Sequence, residues 1–90
     1  MPFVYILTNR SNEVLYVGVT NNLSRRIYEH HSKYTESFSN KYNLMKLVYC
    51  ESCRSMLDAI RREKQLKAWR RDWKRALVTA QNPHWKDLLS

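Results

Sequence analysis

Residues 3–19 read FVYIL, then TNRSNE, then VLYVGV. Phe3-Val4-Tyr5-Ile6-Leu7 and Val14-Leu15-Tyr16-Val17-Gly18-Val19 are short apolar runs rich in β-branched and aromatic residues, the composition of buried strands. The six residues between them are turn chemistry, so the two runs are expected to pair as an antiparallel hairpin. Gly18, the chain's single glycine, falls inside the second run. A glycine there weakens a strand by about 0.5–1 kcal/mol and usually marks a bulge or a close approach by backbone or ligand.

Beyond the hairpin the hydrophobic period lengthens. Asn21 or Asn22 can cap a helix in which Leu23, Ile27, His30 or His31, and Tyr34 recur at steps of three to four. Residues 35–43 read as a loop anchored by Phe38 and Tyr42, and Lys46-Leu47-Val48-Tyr49-Cys50 as a third strand. Ser55 with Asp58 three residues on resembles a capping box. The helix it opens should turn Met56, Ala59, Ile60 and Leu66 inward and bend near residues 69–72. A further helical stretch holds Trp73, Ala76 and Leu77 and stops at Pro83, after which Trp85, Leu88 and Leu89 are expected to fold back on the core. The order β-β-α-β-α-α implies an α+β layer arrangement.

Ninety residues make a single domain, residues 1–90, whose margin of stability is thin. Sixteen Lys and Arg against eight Asp and Glu leave a formal net charge of +8. Such a field gathers polyanions and makes nucleic acid the expected partner. No apolar run approaches the roughly 18–20 residues of a membrane span, and no signal-peptide pattern opens the chain, so a cytoplasmic location is expected and membrane association is not. Cys50 and Cys53 form a C-x-x-C that lacks a second ligand pair at zinc spacing, and Cys50 sits in a strand-like run. Both read as ordinary thiols.

Several polar residues interrupt the apolar pattern. Arg26 and His30 lie one turn apart on the face of Leu23 and Ile27, the face turned to the sheet, whereas Arg25 should point outward. A guanidinium aimed inward either makes a structural ion pair or receives a phosphate, which it matches bidentately. Glu63 stands between Ile60 and Leu66 and poses the same choice: a salt bridge to Arg26, or Mg²⁺, which takes one or two carboxylates with phosphate oxygens and water. Tyr5 and Tyr16 fall on paired strands, as core partners or as acid–base groups needing a nearby cation to act near neutral pH. Gly18 either allows tight packing or opens room for a phosphate. Residues 61–75 carry Arg61, Arg62, Lys64, Lys67, Arg70, Arg71, Lys74 and Arg75 around Trp69 and Trp73. They form a solvated helix face or a phosphate-tracking surface.

The ordered set Val4-Tyr5-Ile6, Tyr16-Val17-Gly18, Leu23, Arg26, His30 and Glu63 resembles the signature of GIY-YIG nucleases. The stretch KYNLMKLVYCES and the tail NPHWKDL are similar to those of the small stand-alone bacterial members. Val4 replaces the first glycine of the signature and Val17 its isoleucine; neither removes a catalytic group. The resemblance implies a three-stranded antiparallel sheet flanked by helices and a metal-dependent endonuclease, with DNA preferred over RNA as substrate and repair or recombination as its setting. It implies that Tyr5 and Tyr16 are the signature tyrosines, one of which activates the attacking water. Tyr5 is the expected base, with His30 as proton relay. Arg26 would stabilise phosphate charge and Glu63 would hold one Mg²⁺ or Mn²⁺. Asn82 would match an asparagine found after the metal glutamate, and Gly18, Lys67, Arg70, Arg71, Lys74 and Asn82 would contact substrate. The alternative is a nucleic-acid-binding module of the same fold without turnover.

Overall fold

The computed structural model describes residues 1–31 and 46–89, and of residues 27, 29, 30 and 31 it describes the backbone. The elements are β1 (Phe3–Thr8), β2 (Leu15–Thr20), α1 (Leu23–His31), β3 (Lys46–Ser52), α2 (Met56–Ala68) and α3 (Arg71–Gln81). This is the expected α+β order. The expected loop at 35–43, its anchors Phe38 and Tyr42, and Tyr34 lie outside the described residues.

The hairpin forms because its turn satisfies its own backbone. Asn9 Oδ1 accepts from the amides of Glu13 (2.9 Å) and Val14 (3.1 Å), and the Thr8 hydroxyl donates to the Val14 carbonyl at 2.7 Å. Asn12 takes a left-handed conformation (φ 61°), which asparagine tolerates better than most residues. The resulting register sets Tyr5 opposite Gly18 and Leu7 opposite Tyr16. β3 pairs antiparallel on the other side of β1, giving the order β2-β1-β3. A register shift between Ile6 and Leu7 pairs Ile6 with Tyr49 and Leu7 with Leu47, so Val48 is the extra residue of a bulge.

Side chains alternate across β1, and the two faces meet different layers. Val4, Ile6, Val17, Val48 and Tyr49 pack with Ala59 and Leu66 of α2, Val78 of α3, and Trp85. On the opposite face Tyr5, Leu7 and Leu47 pack with Val14, Tyr16, Cys50 and Leu23 of α1.

Ser55 caps α2 as expected, its hydroxyl accepting from the Asp58 amide at 3.1 Å. The expected bend is a complete break: Trp69 and Arg70 are both extended, with ψ 151° and 155°, and a separate helix starts at Arg71. Neither glycine nor proline sits there; Trp69 packs against the core and meets Trp73 edge-on at 6.0 Å across the break. Met56, Leu88 and Leu89 were expected inward and are exposed. Met56 occupies the first position of α2, while the tail is held by its buried Trp85 and by polar bonds and not by its leucines. The Leu88 amide donates to the Leu47 carbonyl at 2.8 Å, and Asp87 Oδ1 accepts from the Leu47 amide at 3.2 Å. No helix among the described residues is long and apolar enough to cross a membrane.

Candidate active site

The tyrosine–arginine group of the site lies on the α1 side of the sheet. Tyr5 is fully enclosed there, and its cross-strand neighbour is the reason. A Cβ built on Gly18 would stand 2.9 Å from Tyr5 Cε1 and nearer still to Cζ and the hydroxyl. The room that glycine provides is therefore filled by the end of the Tyr5 phenol. Tyr16, partly exposed, lies beside it with ring centroids 6.4 Å apart and planes inclined by 39°.

Arg26 arrives because of how α1 starts. The Thr20 hydroxyl accepts from the Asn22 amide at 3.1 Å, and Asn22 Oδ1 accepts from the Arg25 amide at 3.0 Å, which makes Asn22 the cap. Leu23 then packs inward, and Arg26, three residues on, shares its face. Arg26 Nε donates to the Tyr5 hydroxyl at 3.1 Å, and Tyr16 adds a second side-chain hydrogen bond to the guanidinium. The bond to Tyr5 holds the arginine even more firmly protonated than usual. Burial pushes the Tyr5 phenol up, with the Arg26 hydrogen bond opposing and the charge of Glu63 adding to the rise. Arg25 is exposed, as expected.

Glu63 belongs to the inward stripe of α2, at helical spacing from the buried Ala59 and Leu66. Its side chain is 18% exposed, and Oε2 lies 3.5 Å from Lys67 Nζ one turn on. That its charge is felt at the Tyr5 phenol makes it an electrostatic neighbour of the tyrosine–arginine group. The His30 side chain lies outside the described residues; its backbone is in α1, one turn past Arg26. Among the described residues no three His, Cys, Asp or Glu gather as a metal cage. A half-buried carboxylate paired with one exposed lysine instead fits Mg²⁺ or Mn²⁺, which complete their shells with water and substrate phosphate oxygens. It does not fit zinc, which wants four protein or water ligands of N, S or O type in a tetrahedron.

The other residues singled out from the sequence are placed less centrally. Lys67 engages Glu63. Arg70 pairs with Asp72 at 3.1 Å and stacks on Trp73 at 4.9 Å, both at the surface. Arg71 donates to the Glu13 carbonyl, and Lys74 is half-buried on α3. Asn82 caps α3 and is buried, and its side chain is committed to the chain itself. Nδ2 donates to the carbonyls of Val48 (3.1 Å) and Lys86 (2.8 Å), while Oδ1 accepts from the Lys86 amide at 3.2 Å. Cys50 packs on the Tyr5 face and Cys53 against the main core, on opposite sides of the sheet. Both thiols are pushed up by burial, which suits inert cysteines.

Sequence reasoning missed the structural use of the basic helices. Arg62 grips both oxygens of Glu51 at 3.1 and 3.3 Å and lies over Trp69. Arg75 donates to the Asn12 carbonyl at 2.6 Å and stacks on Trp85 at 4.5 Å. Together with Arg71 it clamps the β1–β2 turn. These contacts join residues far apart in the chain, so no local spacing announces them.

Comparison with known proteins agrees with the geometry. The model of the GIY-YIG catalytic domain matches residues 1–76. The chain belongs to the GIY-YIG family. Similar proteins include a UPF0213 protein of Syntrophus aciditrophicus, 38% identical over 82 residues, which cover 90% of this chain and 92% of the relative. A UPF0213 protein of Desulfotalea psychrophila is also 38% identical over 79 residues, 87% of this chain and 71% of that one. Among solved structures, the solution NMR structure of a UPF0213 protein from Bacillus halodurans superposes with a TM-score of 0.60 at 28% identity, covering 97% and 93% of the two chains. The GIY-YIG family is of the nuclease type, and its catalytic domain spans β1, β2, Arg26 and Glu63 here.

Proposed function

We propose that this GIY-YIG chain is a metal-dependent endonuclease that hydrolyses a DNA phosphodiester with one divalent ion. The observation that carries the reading is the Arg26 guanidinium held on the Tyr5 hydroxyl at 3.1 Å, within the electrostatic reach of Glu63. A salt bridge within a stable core would have needed neither two phenols nor a glycine to seat one of them.

In the proposed reaction the oxygen of water bonds to phosphorus in line with the leaving oxygen, whose bond to phosphorus breaks. One proton of that water passes to a signature phenol as the phenol hands its own proton on to His30, the relay, and the leaving oxygen collects a proton from solvent. Arg26 meets the charge that grows on the phosphate, in a partly enclosed site where such a donor is worth about 10²–10³ in rate. Glu63 would hold Mg²⁺ or Mn²⁺, which when bound would supply Lewis-acid stabilisation of the charge that develops in the transition state. The net charge of +8 draws the polyanion in. Lys67, Arg70 and Lys74 are proposed to contact the backbone beyond the scissile phosphate. A cytoplasmic enzyme of repair or recombination fits this reading.

The test is cleavage of labelled duplex, single-stranded, branched and RNA substrates with and without Mg²⁺ or Mn²⁺, wild type against Glu63→Ala. Cutting that requires the ion and falls to background in the variant is expected. Equal binding by both proteins, with no cutting of any substrate, would replace the nuclease by a binding module.

A further inference from the structure

The chain has three tryptophans, and the structure uses them differently. Trp85 is buried, with its indole N–H donated to Thr79 Oγ1 at 3.0 Å. Trp69 is partly buried against the main core, with Arg62 over its ring. Trp73 stands out at the α2–α3 corner, 50% exposed. Its ring meets Trp69 edge-on, and the Arg70 guanidinium lies over it at 4.9 Å. The Arg70 side chain is itself 68% exposed, so the indole and the guanidinium form a flat layer at the surface. Its ion pair with Asp72 is as exposed, and such pairs contribute little to stability. The corner is close to the site by two routes. From Glu63 to the end of α2 at Ala68 is about 8 Å of helix rise. On the other side Arg71 donates to the Glu13 carbonyl, and Tyr16 follows within about 11 Å of chain. A stacked nucleic-acid strand advances about 3.4 Å per nucleotide, so both routes span about three nucleotides.

We propose that Trp73 and Arg70 form a nucleobase-binding site, on which an unpaired base of the substrate strand stacks within about three nucleotides of the bond that is cut. The inference rests on the nuclease reading and names a feature of the substrate for that site. The occupant follows from charge and shape together. A net charge of +8, with Arg61, Lys64 and Lys67 exposed on the same stretch of helix, draws in a polyanion. Phosphate alone would be served by the edge of a guanidinium and would gain nothing from a half-exposed indole. A base gains from both, because every base has a π-face that stacks on aromatic rings and on arginine planes. A paired base keeps its faces against its neighbours in the helix, so the ligand is a base free of its stack. The N–H edge of Arg70 stays available to the backbone of the same strand.

The deciding measurement is the affinity of the full chain, with divalent metal chelated, for labelled probes of equal phosphate number. They are an oligothymidylate, an abasic strand, a fully paired duplex and a duplex with one extrahelical thymine. The wild type is expected to bind oligothymidylate about tenfold tighter than the abasic strand. Trp73→Ala should remove that margin and leave the abasic and fully paired affinities as they were, while Trp73→Phe keeps part of it. A margin shared by the extrahelical thymine makes a base turned out of a duplex a ligand as well; one confined to oligothymidylate makes the ligand a single strand, and the site stands in both cases. Equal wild-type affinity for oligothymidylate and the abasic strand would overturn it. So would a Trp73→Ala loss of the same size on every probe, which is what a ring that only stiffens the corner predicts. Cleavage is read separately: if the wild type cuts nothing, the nuclease reading fails, and the binding margin still decides whether Trp73 and Arg70 hold a base.

Discussion

Ile6 and Tyr5 are neighbours on one strand, yet they serve opposite faces of one sheet. Ile6 enters a layer made almost wholly of hydrocarbon: Val4, Val17, Val48, Ala59, Leu66 and Val78. Tyr5 enters a layer where two phenols and a guanidinium are packed against Leu7, Leu23 and Leu47. The first face has α2 and α3 over it, and its sheet residues serve contact, while Glu63 of α2 is the group whose charge reaches the Tyr5 phenol. The second has α1, and its apolar residues are packed around the phenols and the guanidinium. The period of two along β1 divides stability from chemistry, and a slip of one residue would exchange them.

The largest effect should come from the hydrocarbon face. Ile6→Ala removes a fully buried side chain and should destabilise the fold by about 2–5 kcal/mol, read as a lower urea midpoint. Per folded molecule, cleavage should change little. Tyr5→Phe should show the reverse, a kinetic defect with the midpoint nearly kept. If Ile6→Ala lowered turnover per folded molecule as much as Tyr5→Phe does, the two faces would be mechanically one, and the division would fail.

That division was partly legible in the sequence. The alternation of residues 3–7 and 14–19 and the three-to-four step from Leu23 gave the elements, because both periods are local. Arg26 was legible as inward-pointing, since it shares a helical face with Leu23. Its partner was not: the spacing offered Glu63 and the structure supplies Tyr5, a contact set by hairpin register and by where α1 crosses the sheet. Gly18 was legible as an exception and not as a seat, because only the register puts Tyr5 opposite it. The basic run of residues 61–75 was the least legible. Charge pattern cannot distinguish an arginine that meets a phosphate from Arg62 on Glu51 or Arg75 on a turn carbonyl. Asn82 is similar: its amide closes the tail onto β3 through bonds that cross more than thirty residues.

Gly18→Ala sharpens the comparison from within the second face. Its Cβ would collide with the hydroxyl end of Tyr5, and an enclosed ring has no cheap way to move. Overpacking of this kind costs about 1–3 kcal/mol, less than the Ile6→Ala cavity. Here, however, stability and turnover should fall together, because displacing Tyr5 also releases Arg26. In a Tyr5→Leu background, whose side chain stops short of the collision, the same substitution should cost almost nothing in urea midpoint. An undiminished cost there would mean that strand geometry, and not the Tyr5 ring, requires the glycine.

The smallest effect concerns the phenol on the other face. Tyr49 packs in the hydrocarbon layer, and its hydroxyl donates to Glu51 Oε1 at 2.6 Å, with Arg62 closing the carboxylate from the other side. Burial first, and then the bond to Glu51, push its pKa up to about 12 from the ordinary 10.0. The folded protein therefore keeps a proton there that the unfolded chain releases near pH 10, so between pH 10 and about 12 the folded state binds more protons. Stability should fall as pH rises through that window and be unaffected by this group below it. Tyr5, raised by burial as well, contributes with the same sign. Tyr49→Phe should flatten the alkaline slope of urea midpoints while leaving the cleavage profile near neutral pH untouched, since its oxygen serves the core and not the site. A slope unchanged by Tyr49→Phe would place the alkaline transition on the Tyr5 face, and the chemistry face would then be the one that limits the fold at high pH.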